Sequence, residues 1–369
     1  MKPIIAVPAT ALLVYRAWSR KSLTPTGIVF ATITAIVHAL YPSPAPFACL
    51  VVFFLGGTTV TKVKHSIKAK LTVAASGAAG GDGPRTHVQV LANSAVASVL
   101  ILLYTLQLYR KQQSSPSCFA YGEDLLTVGI VANYAAVAAD TYSSELGILS
   151  NSSPRLITSL RLRKVPRGTN GGVTLTGLAA GALGASTIAI TSLLLLSFCP
   201  LGPLPGFSTT GLDGGRAWGA REKSLWVLAV TIWGTLGSLL DSILGGMLQA
   251  TVVDKRTGKV IEGVGGRKVL VYSGVVKPVG FDNKTVLQGS KPRGAENLGS
   301  ATTLRKFKRE VADEPIGHSD VTQESRKIET GHDILDNNAI NVLMAAIMSF
   351  GAIILAAYIW DMPVTNILL

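Results

Sequence analysis

Apolar residues run almost unbroken through eight stretches of the chain, at about 3–18, 25–41, 44–61, 88–109, 122–140, 172–199, 224–250 and 338–360. Each approaches the roughly 20 apolar residues that carry a helix across a bilayer. The pattern predicts an all-α polytopic membrane protein of about eight transmembrane helices. The first stretch is the shortest, and Arg16 must snorkel at its end. A signal peptide is the rival reading there, disfavoured because no small-residue cleavage site follows.

The intervals organise the rest. Residues 1–61 hold spans one to three, and 62–87 form a basic, Gly/Ala-rich cytoplasmic linker that includes ASGAAGGDG. Residues 88–250 hold core spans four to seven. Residues 251–337 make one long cytoplasmic loop, and 338–369 hold the last span and a short C-terminus. The loop opens with TVVDKRTGKVIEGVGGRKVLVYSG, whose alternating Val/Ile and Thr-Gly and Gly-Gly turns predict one or two small β-hairpins. Its section 282–330 is polar and poor in aromatics, and is expected to be flexible.

Composition agrees with the pattern. Charged residues make up 15% of the 369, against about 25% in soluble domains. The net charge of +13 would suit a nucleic-acid partner, but 28 of the 34 Lys and Arg fall in the loops after spans one, three, five and seven. By the positive-inside rule those loops face the cytoplasm and both termini face the lumen or exterior. The charge is then topological, and nucleic acid is not needed as a partner. Cys49, Cys118 and Cys199 form no CxxC or zinc spacing and read as structural, with a Cys118–Cys199 disulfide as the minor alternative. The five His are scattered.

Polar side chains inside apolar spans are costly and are functional candidates by default. Here they form sets. Arg85, Gln89 and Asn93 recur every four residues at the start of span four, on one helical face. Asn133, Asp140, Ser144 and Glu145 end span five. Asp241, Gly245 and Gln249 end span seven. Asp333, Asp336, Asn337, Asn338 and Asn341 open span eight. In the alternating topology every set reaches the same, cytoplasmic, membrane face. Plainer readings stand beside this one. Gln89 or Asn341 would serve as interhelical hydrogen bonds, Asp336 as a helix N-cap, and Gly234–Gly237 or Gly245–Gly246 as points of close helix approach. Asp241, about nine residues inside its apolar run, is the hardest to explain that way.

The segment PRGTNGG, Pro166–Gly172, precedes span six. A helix N-terminus offers unpaired N–H groups and the positive end of the dipole, and glycines let an anion approach. An ordinary helix entry is the bland alternative. Carboxylates opposite a phosphate cradle match the needs of Mg²⁺-nucleotide chemistry.

At these residues a family resemblance enters. ADTYSSELGILS…PRLITSLRLRKVPRGTNGGVTLTG resembles the signature of the transmembrane protein 19 family, as do TLGSLLDSILGGMLQATV, LDNNAIN and, more weakly, RTHVQVLANS. Together they cover about residues 56–350. A phytyl-phosphate kinase is among the family's plant members. The resemblance therefore implies transfer of a phosphoryl group from a nucleoside triphosphate to a prenyl monophosphate. Two features depart from the family pattern, an insertion at about 266–330 and the Ala/Gly-rich 71–84 linker. No plastid transit peptide is visible, which points to another isoprenyl monophosphate than the phytyl one.

The expected protein is thus a multi-pass isoprenyl-phosphate kinase of an endoplasmic-reticulum-type membrane, its prenyl tail among the spans. Asp140, Glu145 and Asp241 are the expected catalytic acids, and these with Asp336 the expected Mg²⁺ ligands. Arg167, Gly168, Thr169, Asn170, Gly171 and Gly172 would cradle a phosphate. Asn337 and Asn338 would orient substrate oxygens, Lys62 and Arg85 would balance charge, and Gln89, Asn93, Gln249 and Asn341 complete the substrate contacts. A transporter is the rival of another class. It places its site near the midplane, often with inverted repeats, whereas these polar sets sit at one face. A non-catalytic organising protein is the third reading.

Overall fold

The structure is a computed structural model that describes residues 1–76, 80, 83–111, 118–120, 124–199, 218–269, 271 and 325–364. Eight apolar helices occupy the expected stretches. They are α1 (Pro3–Ser19), α2 (Pro25–Leu40), α3 (Ala45–Lys62), α5 (His87–Lys111), α6 (Leu125–Gly147), α7 (Leu175–Leu195), α8 (Ala220–Leu248) and α9 (Asn337–Trp360), with a four-residue α4 (His65–Lys68) between α3 and α5. Six of them, α3 and α5 to α9, are long and apolar enough to cross a membrane. At 17 and 16 residues, α1 and α2 are shorter. They pair antiparallel, since the Met1 amine donates to the Ala39 carbonyl (2.9 Å). The side on which each later loop falls is therefore the same whether or not this pair crosses.

Loops at each end are tied together, which fixes the alternation directly. At one end Thr24 N donates to the Arg85 carbonyl and Arg85 N to the Ser22 carbonyl, both at 3.0 Å, joining the α1–α2 turn to the segment before α5. A four-stranded sheet, in the order β1 (Val73–Ala74), β5 (Val260–Glu262), β4 (Thr251–Asp254), β6 (Arg326–Thr330), joins the α3–α5 and α8–α9 segments. A two-stranded ribbon of β2 (Arg155–Leu156) and β3 (Gly172–Val173) lies between α6 and α7. Asn170 N donates to Thr251 Oγ1 (3.1 Å), linking that segment to β4.

The expected hairpin is β4–β5, turning through Asp254–Lys259. Strand β6 falls inside the section expected to be flexible, and it is ordered by pairing along β4. The rest of that section, up to residue 324, lies outside the described residues, as does part of the 75–83 linker.

At the opposite end Cys118 and Cys199 form a disulfide, with Cα atoms 5.0 Å apart. This corrects the reading of three plain structural thiols; only Cys49, buried, is free. The partners are 81 residues apart in sequence, but the α5–α6 and α7–α8 segments meet here, with Phe119 N donating to the Ser197 carbonyl (2.7 Å). Phe119, Phe198, Trp218 and Trp226 pack ring to ring around it.

The bundle is organised around α6, which is 83% buried along its apolar window against 22–44% for the other five long helices. Its sequence explains this. AAVAAD gives α6 small side chains all round, so neighbours approach its backbone. A Cβ added at Gly184 of α7 or Gly234 of α8 would lie 2.6–2.7 Å from an α6 carbonyl oxygen. In a bilayer, where lipid is as apolar as Leu, such close van der Waals packing is what holds helices together.

Candidate functional site

A cavity of about 390 Å³ opens at the end of the bundle where the sheet lies. Helix α6 continues to Gly147, beyond the expected boundary at 140, so Asp140 and Glu145 share one continuous helix. Asp140 lies seven residues before the end of α6, and Asp241 seven residues before the end of α8. At about 1.5 Å per residue both acids sit roughly 10 Å inside their helices, at matching depth. Their carboxyl groups face each other within hydrogen-bonding reach. With its amide turned to satisfy its neighbours, Asn341 donates to Asp241 Oδ1 (3.2 Å) and to the Asn337 carbonyl (3.1 Å).

The structure brings every candidate residue to this cavity except Lys62 and Asn133, the latter buried between helices and donating to the Asn93 carbonyl (3.2 Å). From α5 come Gln89 and Asn93, with Arg85 just before the helix. The segment before α7 contributes Arg167, Gly168, Thr169, Asn170, Gly171 and Gly172. The end of α8 gives Gln249, and the start of α9 gives Asp336, Asn337, Asn338 and Asn341. Lys62 is instead exposed at the last turn of α3. Lys64, at φ 47°, turns the chain back there, and α4 carries Lys68 into the position the sequence assigned to Lys62.

Lys68 is buried, its side chain 8% exposed. It donates to Glu145 Oε2 (2.5 Å) and to the carbonyls of Val60 (3.1 Å) and Thr61 (2.6 Å), closing the end of α3. Thr61 Oγ1 donates to Glu145 Oε1 (2.9 Å). Glu145 is thus committed to an ion pair. Asp336 is the N-cap of α9, accepting from Ala339 N (2.9 Å). The expected four-acid metal set is corrected accordingly. Among the described residues no three His, Cys, Asp or Glu side chains gather to hold a metal. Asp140 and Asp241 remain as two hard oxygen donors facing one space, a set that suits Mg²⁺, which binds through one or two carboxylates plus phosphate oxygens.

The glycine turn is also more structural than expected. Thr169 N donates to the Pro166 carbonyl, Asn170 N to Thr251, and Gly172 N to the Thr169 carbonyl (2.9 Å). Three of its N–H groups are therefore already bonded. The first turn of α7 is capped by Thr174, which accepts from Gly177 N (2.9 Å). Gly168 and Gly171 have φ of +84° and +79°, where glycine is the default residue. A Cβ at Gly171 would lie 2.8 Å from the Gly246 Cα. The turn thus docks backbone to backbone on α8, which holds Arg167 on the cavity wall.

Sequence reasoning missed Lys68, His65, Thr61, Arg267 and Lys268, all of which line the cavity. Lys268 bridges the carbonyls of Asp333 and Ile334 at 3.0 Å and the Asp333 carboxylate at 3.3 Å, pinning the segment between β6 and α9. Thr61 ends the apolar run of α3, and the other four lie in segments with the composition of solvated basic loops, where no periodic pattern marks them.

Residues 8–349 match the family described as integral membrane protein DUF92. The chain is 34% identical over 283 residues to Protein PGR of Arabidopsis thaliana, covering 74% of this chain and 90% of that one. It is 33% identical over 129 residues to an uncharacterized membrane protein, MJ0933, of Methanocaldococcus jannaschii, covering 35% and 43%. It is 29% identical over 178 residues to Protein VTE6, chloroplastic, of Arabidopsis thaliana, covering 48% and 49%. No solved structure matches. The match runs from within α1 to the middle of α9 and takes in every residue named at the cavity, and the chain belongs to the DUF92 family of integral membrane proteins.

Proposed function

We propose that this protein transfers the terminal phosphoryl group of a nucleoside triphosphate to an isoprenyl monophosphate at the cytoplasmic face of its membrane. The observation that carries the reading is the pairing of Asp140 with Asp241 inside a polar cavity whose walls also hold Lys68, Arg85, Arg167 and Arg267. The motif resemblance to the transmembrane protein 19 family supports it. The orientation rests on the concentration of Lys and Arg at the cavity end. It is also supported by the disulfide at the other end, since disulfides persist in oxidising compartments.

In the reaction the bond between the β,γ-bridging oxygen and the γ-phosphorus breaks. A bond forms from a monophosphate oxygen to that phosphorus, and a nucleoside diphosphate leaves. A dianionic acceptor needs no deprotonation, so positioning and charge stabilisation carry the rate. Two facing carboxylates are unfavourable without a cation or a shared proton between them. Asp140 and Asp241 would hold Mg²⁺, which would supply neutralisation of phosphate charge when bound. Arg85 and Arg167 would orient the acceptor and donor phosphates, and Asn337 and Asn341 would fix the acid pair from the α9 side. The acids lie roughly 10 Å from the ends of their helices, and not at the bilayer midplane where a transporter places its site.

The test is to incubate purified protein with Mg²⁺, γ-labelled ATP or CTP, and prenyl monophosphates of several lengths. Label in a prenyl diphosphate is the expected result. No labelled product with any pair, from protein shown to be folded, would overturn the reading.

A further inference from the structure

A second, narrow cavity lies beside the first, between α1, α2, α3 and α5. Its walls are apolar, formed by Leu13 and Val14 of α1, Ala31 and Ala35 of α2, and Phe53 and Phe54 of α3. The Thr32 hydroxyl is turned back onto the Ile28 carbonyl (2.8 Å), which leaves its methyl for the groove. Arg85, Gln89 and Asn93 line both cavities, so the apolar groove ends where the polar one begins.

The junction is built around Arg85. A Cβ at Gly57 of α3 would lie 3.3–3.4 Å from its guanidinium nitrogens, and one at Gly27 of α2 would lie 2.7 Å from its carbonyl oxygen. The missing side chains at these two positions make room for the arginine between α2 and α3. Its Nη2 donates to Thr61 Oγ1 (3.3 Å) at the rim of the polar cavity. A guanidinium offers five N–H donors in a fork that fits phosphate.

We propose that this groove holds the first isoprene unit of a single-chain lipid monophosphate, with the phosphate at Arg85 and the remaining tail leaving between α1 and α2 into the bilayer. The assignment rests on the kinase reading for the identity of the phosphate. Its own basis is the continuity of an apolar slot with a cationic end. Size separates single-chain from diacyl lipids. The groove encloses about 70 Å³ of accessible space, roughly five water-sized groups. That matches one five-carbon unit and not two acyl chains. The assignment also gives α1 and α2 a purpose. They are the two helices too short to count as full spans, and together they wall the slot.

The test uses the full chain in detergent with farnesyl monophosphate carrying a diazirine on its first isoprene unit. Photolabelling followed by peptide mapping should place the adduct on α1, α2, α3 or the first turns of α5. Unlabelled farnesyl monophosphate should compete at least tenfold better than farnesol or a diacyl phosphatidic acid. Ala31→Trp, which fills the slot, should cut labelling at least tenfold. If that variant does not fold, the adduct map and the competition decide alone. Adducts confined to other helices, or equal competition by farnesol or phosphatidic acid, would overturn the proposal. Groove labelling by a chain that makes no prenyl diphosphate would sink the kinase reading and leave the groove standing. Turnover with labelling elsewhere would do the reverse.

Discussion

Lys68 reaches from a loop with the composition of an exposed basic linker and donates to Glu145, 2.5 Å away, on the last turns of α6. The pair joins the end of α3 to α6 and closes one wall of the cavity. Breaking a buried pair by removing one partner leaves an uncompensated charge. Lys68→Met is expected to destabilise the folded chain by about 3 kcal/mol, the low end of the range for buried pairs because Glu145 keeps some solvent. Lys68→Met combined with Glu145→Gln should cost less than the two single changes summed. Thermal unfolding of the four proteins in one detergent measures this coupling.

Gly171 packs backbone to backbone on α8, and Gly258, in the β4–β5 turn, packs on nothing. Both have positive φ, +79° and +68°. Alanine at either position costs about 1–2 kcal/mol of backbone strain. At Gly171 the added carbon also meets the Gly246 Cα at 2.8 Å, whereas at Gly258 it meets open space. Overpacking adds about 1–3 kcal/mol. Gly171→Ala should therefore lower the melting temperature well beyond Gly258→Ala, and should alone impair turnover. Equal melting shifts would contradict the docking of this turn on α8.

The disulfide stands at the end opposite the cavity. In the chain-entropy account, closing a loop of this length is worth about 4 kcal/mol. Reduction, or Cys118→Ser with Cys199→Ser, should lower the unfolding temperature while leaving nucleotide affinity unchanged. In sealed vesicles the thiols freed by reduction should react with an impermeant maleimide from the side opposite that on which an epitope in the 251–337 loop is detected. Reaction from the same side would contradict the alternation of the helices.

Much of this fold is legible in the sequence, for a physical reason. A bilayer demands long apolar runs, and loop charge marks their direction, so the eight helices and the shared face of Asp140, Asp241, Gln89 and Asn341 follow from spacing and alternation. The packing partners do not. Nothing local distinguishes Lys62 from Lys68, because a left-handed residue at Lys64 decides which of them turns inward. The two strands that complete the sheet around the β4–β5 hairpin are similarly hidden. β1 has two residues and β6 five, each held by a partner far away in sequence. The sequence marks Asp336 and the Gly171 turn as special, but it leaves cap beside ligand for the one and ordinary helix entry beside cradle for the other, and does not reveal that the turn packs on α8.

Removing metal offers a separate check on the acid pair. If Asp140 and Asp241 hold Mg²⁺, chelation should abolish label transfer and Mg²⁺ should restore it. Asn341→Leu, which removes the donor to Asp241, should raise the Mg²⁺ concentration needed for half-maximal rate by about tenfold, the scale of an outer-sphere partner. An unchanged Mg²⁺ requirement in that variant would separate the metal from this pair.

The central claim is that Asp140 and Asp241 together make the phosphoryl-transfer site. Its most direct test is the initial rate of γ-label transfer to a prenyl monophosphate by the native chain, Asp140→Asn, Asp241→Asn and the double variant, each monodisperse and with native-like melting. The account predicts a loss of about 10²–10³-fold for each single change. It predicts little further loss in the double, since the two acids act as one unit. Single variants that retain rates within a few-fold of native would contradict it.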